Sequence, residues 1–114
     1  HAVALRLLDS AMSLQSSTVV AANIAWILAT SADDGVRNGR VALEYAERAV
    51  RENPADQTSL DAYAAALAET GRYADAVAVA QRMLSVAHAS GDAPGEARAR
   101  ERLASYSSGR PWRQ

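Results

Sequence analysis

Apolar residues recur along this chain at helical spacing, and short polar runs punctuate them. Val3, Leu7, Leu8, Ala11 and Leu14 form a first stripe. The run QSST interrupts it and places Ser17 or Thr18 to cap a second helix over about 19–31, which carries Val20, Ile24, Ile27 and Leu28. The polar stretch ADDGVRNG follows. Asn38 is the predicted N-cap of a third helix, with Val41, Ala42, Tyr45, Ala46, Ala49 and Val50 on one face. Asn53-Pro54 ends it, because the residue before proline disfavours the helical region. A fourth helix is predicted over about 57–70, stopping at Gly71. The turn TGRYADA leads into a fifth, where Ala76, Ala80, Met83 and Leu84 keep helical register. ASGDAPGE breaks that helix, Asp92 caps a sixth, and Pro94 sits in its first turn, where proline is tolerated. The tail SSGRPWRQ, with Gly109 and Pro111, reads as extended. Glu44–Arg48, Glu47–Arg51 and Glu96–Arg100 are i,i+4 pairs that mark solvated faces.

Composition supports the all-α reading. Hydrophobic residues make up 49% of 114 positions, but aromatics only 5%, and there is no Phe. Much of the apolar count is alanine, which costs no side-chain entropy in a helix and lets helices approach closely. β-branched and aromatic residues are too scattered for a sheet. The length is that of one domain.

The formal net charge of −1, with all 12 basic residues arginine, argues against a general nucleic-acid binder. With no Cys, disulfides and thiolate metal sites are excluded. No apolar run is long enough to insert into a membrane. The chain begins at His1, already inside a helical pattern and without a signal peptide, so it reads as a fragment of a longer protein.

Self-comparison reveals a repeat. Arg40–Pro54 (RVALEYAERAVRENP) aligns without gaps on Ala74–His88 (ADAVAVAQRMLSVAH), 34 residues further on. Ala42 falls on Ala76, Ala46 on Ala80 and Ala49 on Met83. A helix–turn–helix period of this length is the signature of the tetratricopeptide repeat. The segment LDAYAAALAETGRYADAVAVAQRML resembles that family's pattern, with Leu60, Tyr63, Ala64, Leu67, Gly71, Tyr73, Ala76 and Ala80 at its large, small and turn positions. The first unit resembles it less closely: Ile24 and Ala25 stand for the large and small positions, but the segment between Ala25 and Ala42 is five residues longer than its counterpart. The chain also looks like the C-terminal end of many bacterial tetratricopeptide proteins, where the compartment would be cytoplasm or periplasm. The resemblance implies one superhelical domain of antiparallel helix–turn–helix repeats. Residues 1–17 would be the second helix of a truncated repeat, 18–55 a repeat with an enlarged turn, 56–90 a second repeat, 91–107 a capping helix and 108–114 an extended tail.

The enlarged turn invites two chemical readings that fail on spacing. An EF-hand with Gly39 as its turn glycine puts Val36 and Tyr45 at ligand positions, and with Gly35 it puts Val41 at the last one. A phosphate loop needs Lys-Ser or Lys-Thr after the glycines and a strand before them. The remaining reading is structural. Arg37 reaches back to Asp33 or Asp34 and ties the loop down, while Asn38 caps the next helix. No metal or cofactor is expected. His1 and His88 lack a carboxylate and nucleophile at catalytic spacing, so no enzyme is expected. Arginines 98, 100, 102, 110 and 113 make the C-terminal segment locally basic, and they read as a solvated cap helix because no aromatics interleave with them.

The resemblance implies a groove lined by the first helix of each repeat. Asn23, Trp26 and Thr30 would face it from one repeat, and Asp61, Ala65 and Glu69 from the next. The expected function is a non-catalytic protein-interaction or scaffolding module binding a peptide there. Asp61 and Glu69 favour a basic segment, and the preceding repeats of the same chain would be further neighbours. The alternative is a structural C-terminal cap with no ligand of its own. Trp26 has two readings, a groove anchor or a roof over the enlarged loop. Trp112 reads as folding back on the cap helix.

Overall fold

The structure is a computed structural model that describes residues 14–114. Five helices carry them: α1 (Leu14–Thr30), α2 (Gly39–Glu52), α3 (Gln57–Glu69), α4 (Tyr73–Ala89) and α5 (Ala93–Ser107). No strand occurs among the described residues, which are all-α. The first apolar stripe lies, as far as residue 13, outside the described residues.

Helix ends follow the polar punctuation. The Asn38 side-chain oxygen accepts from Val41 N at 3.2 Å, and Asp92 accepts from Gly95 N at 3.0 Å. Asp56 caps α3 in the same way, accepting from Ser59 N at 3.1 Å. Gly71 takes φ +83 after α3, a conformation that favours glycine, and Arg72 N then donates back to Leu67 O at 2.8 Å.

The expectation for the start of α1 needs correcting. Ser17 and Thr18 do not cap a helix; both lie inside α1, which is helical from the first described residue, Leu14. The Thr18 hydroxyl, which interrupts nothing, donates to Glu52 Oε2 at 2.6 Å and ties α1 to the end of α2. That bond, more than any other influence, holds the Glu52 carboxyl below its ordinary range. Of the three expected i,i+4 pairs, Glu96 and Arg100 approach to 3.8 Å, whereas Arg48 turns to Glu52 at 3.3 Å.

Two cores flank α3, which packs on α1, α2 and α4 and touches α5. The core shared by α1, α2 and α3 consists of alanines: Ala21, Ala22, Ala25 and Ala29, then Ala42, Ala46 and Ala49, then Ala62, Ala65 and Ala66. Its fully buried members carry only methyl groups, which lets the helices approach closely, and Trp26, Leu28, Leu43, Tyr45 and Tyr63 pack around them. The core of α3, α4 and α5 is coarser, mixing Ala64, Ala76 and Ala80 with Leu60, Leu67, Met83 and Tyr106. The repeated positions agree in burial: Ala42, Ala46, Ala76 and Ala80 are all fully buried.

Candidate functional site

The enlarged loop is held by its own polar groups. Asp33 Oδ1 accepts from Gly35 N at 2.9 Å, an Asx turn, and Ser31 Oγ accepts from Asp33 N at 3.1 Å. Arg37 donates to Ser31 O at 2.8 Å, pairs with Asp34, and donates through Nε to Glu69 Oε1 at 3.0 Å. Asn38 N closes the loop on Leu28 O at 2.7 Å. Of the two aspartates offered to Arg37, Asp34 is the one it takes. Its bond to Glu69 adds a tie from the loop to the end of α3. That approach is close: a Cβ on Gly39 would lie 2.8 Å from Glu69 Cγ.

Five of the six predicted groove residues share one face built from α1, α3 and α5. Asn23 is exposed there. Trp26 is half-buried, with its ring 4.9 Å from the Arg102 guanidinium of α5. Asp61 receives that guanidinium in a two-pronged pair, Nε to Oδ1 at 2.8 Å and Nη2 to Oδ2 at 3.2 Å. Thr30 is fully buried and donates to Trp26 O at 2.6 Å. Glu69 carries Arg37 on one oxygen and Arg113 on the other, the latter at 2.6 Å. Ala65 differs: it is 1% exposed and belongs to the alanine core, so its methyl packs helices together and leaves nothing for a partner to touch.

The tail lies across this face. Trp112 brings its ring centroid to 4.0 Å from the Arg102 guanidinium, so two indoles contact one cation. Arg113 reaches Glu69. Gln114 donates through its backbone N to Thr30 O at 2.8 Å and through Nε2 to Thr30 Oγ1 at 2.9 Å. Trp112 does fold back on the cap helix, and the residues after it run on to the end of α1. Beside the covered part the face stays open. A chamber of about 360 Å³ is lined by Asn23, Trp26, Thr58, Asp61, Arg98 and Arg102.

Electrostatics follow burial. Burial pushes the Asp61 carboxyl above its ordinary range, and the Arg102 pair opposes the shift without cancelling it. Burial, reinforced by the Asp61 charge, also raises the Tyr106 hydroxyl. The reading of Arg102 as part of a solvated face is overturned, since it is 6% exposed. A buried guanidinium is tolerable here because Asp61 neutralises it and two aromatic faces replace its water. Sequence reasoning also missed Thr58, Arg98, Arg113 and Gln114. The signal was present in the basic C-terminal segment and the acidic pair Asp61 and Glu69, two halves of one charge pattern.

Among the described residues, no group of three or more His, Cys, Asp or Glu is placed to hold a metal ion, and no helix is long and apolar enough to cross a membrane. The arrangement is suited to holding an extended segment by stacking, ion pairing and backbone hydrogen bonds. Comparison with known proteins returned no match to a family model, to a curated protein or to a solved structure.

Proposed function

We propose that this chain is a tetratricopeptide-like, non-catalytic interaction module, in which α1/α2 and α3/α4 are successive repeats, α5 caps them, and the α1–α3–α5 face binds an extended peptide. The repeat reading is supported by the 34-residue alignment and by equal burial of Ala42 with Ala76 and of Ala46 with Ala80. The observation that carries the binding reading is the tail, whose Trp112, Arg113 and Gln114 sit on Arg102, Glu69 and Thr30. An extended segment with a cation and an aromatic ring fits this face. Asp61 faces it too, but both its oxygens are taken by Arg102, which leaves the Glu69 oxygen that Arg37 does not bind as the anchor for a partner's cation.

The same observation favours a second reading. A face filled by its own chain is what a structural cap needs, and Thr30 and Glu69 are both engaged. Panning a random-peptide display library separates the two. The targets are the full chain and a full chain with Trp112→Ala and Arg113→Ala, which frees the face. The binding reading expects enrichment of related extended segments on at least one target, lost on a Trp26→Ala chain that still unfolds cooperatively. Background levels on both targets leave the cap.

A further inference from the structure

Three consecutive tail residues each meet a separate receptor on the α1–α3–α5 face. Trp112 meets the Arg102 guanidinium, Arg113 meets Glu69, and Gln114 meets Thr30. Each receptor is also held by groups outside the tail. Asp61 fixes Arg102 with two bonds, at 2.8 and 3.2 Å. Arg37 holds Glu69, and is itself anchored by Ser31 O and Asp34. Thr30 is oriented by its bond to Trp26 O. A site whose parts are positioned in advance loses little entropy when a ligand arrives.

The end of the tail stays at the surface. Arg113 and Gln114 are exposed, and the segment leaves α5 through Gly109 at φ +71. It also leaves part of the face unused, the chamber of about 360 Å³ that offers Asn23, Thr58 and Arg98. A longer segment entering from outside can cover the receptors and the chamber together, which the tail does not do.

We propose that residues 111–114 are a built-in competitor for this face, and that its ligand is an extended segment of a partner protein in which an aromatic residue is followed directly by arginine. The inference rests on the peptide-binding reading above. The aromatic ring takes the place of Trp112 on Arg102, the arginine takes Glu69, and the next backbone N–H takes Thr30 O. Residues preceding the ring extend into the chamber. The tether keeps the tail at an effective concentration on the order of millimolar, so an untethered copy binding at about 100 µM would be weakened roughly tenfold by it.

The test uses a fluorescein-labelled synthetic peptide copying residues 108–114, blocked at both ends. It is titrated by fluorescence anisotropy into the full chain, into the Trp112→Ala, Arg113→Ala chain, and into a chain with Arg113→Glu alone. The single variant keeps the indole on Arg102, so it serves if the double variant loses its fold. The doubly substituted chain is expected to bind the peptide at least tenfold tighter than the parent, and the Arg113→Glu chain, whose indole still competes for Arg102, at least threefold tighter. Exchanging the peptide's tryptophan for alanine, or adding Glu69→Gln to a released chain, abolishes at least tenfold of that affinity. Equal affinity for parent and released chains overturns the competitor, as does a folded released chain that ignores the peptide. If such a chain still enriches unrelated segments from the display library, peptide binding stands and only this inference falls.

Discussion

Replacing Arg102 by methionine tests the electrostatic centre of the molecule. Arg102 and Asp61 have side chains only 8% and 13% exposed and share two hydrogen bonds. Removing the cation leaves a carboxylate buried without its partner. For fully buried pairs the cost is about 3–5 kcal/mol, and the open chamber beside Asp61 places this one toward the lower end. Losing the contacts to two indoles adds roughly 0.5–1 kcal/mol. We expect Arg102→Met to destabilise by about 3–4 kcal/mol at neutral pH in urea denaturation followed by circular dichroism. Asp61→Leu combined with Arg102→Met removes both charges and packs methylene against the two indoles, so the double variant should lie within about 1 kcal/mol of the parent. The coupling between the sites should then exceed about 2 kcal/mol.

Acid supplies an independent check. Burial raises the Asp61 carboxyl above 3.8, and without Arg102 it rises further. A carboxyl with a raised folded-state pKa favours the fold when protonated, and that advantage is lost as pH climbs through the raised value. The Arg102→Met deficit should therefore be small below about pH 4 and complete at neutrality. Additive single-variant effects, or a deficit independent of pH, would refute the reasoning.

Two further predictions concern the scaffold. Ala76→Leu should cost about 1–3 kcal/mol, because Ala76 is fully buried where α4 meets α3 and extra methylenes force strain; an unchanged urea midpoint would mean this contact is loose. Asp92 caps α5, and its carboxyl is held below 3.8 first by Gly95 N–H and then by the Gln57 side chain, so its stabilisation is present above that value and lost as pH falls through the lower folded-state one. Asp92→Ala should lower the melting temperature at neutral pH and flatten the acid limb of the stability curve, and a parallel acid limb would contradict the assignment.

The helices were legible because their ends are written in local chemistry. Asn38, Gly71, Asp92 and Pro94 each act within one turn of themselves, and a local pattern suffices to place them. The place of Thr18 inside α1 was not legible because its hydroxyl is satisfied by Glu52, a partner on the far side of the enlarged loop. The loop's internal ties to Arg37 could be foreseen from neighbouring charges. Its bond to Glu69 could not, since nothing near Arg37 in sequence signals the end of α3. The candidate face was legible in part for the same reason. Helical spacing puts Asn23, Trp26 and Thr30 on one side of α1, but the burial of Arg102 depends on two tryptophans and an aspartate that meet only when α1, α3, α5 and the tail are assembled. Ala65 fell inside the core because alanine at a groove position and alanine at a helix crossing look identical in a sequence.

The tie between Gln114 and Thr30 also has a meaning in time. Most helix contacts in this chain join near neighbours, and such local contacts form early and fast. Gln114 and Thr30 are 84 residues apart, so their bond closes a loop that encompasses α2 through α5. Closing so long a loop is entropically the most expensive single contact if attempted first, and nearly free once the helices are stacked. Both ends of the bond exist in the right places only after α1 and α5 have docked on either side of α3. The tail therefore seats last, and its seating marks the completion of folding.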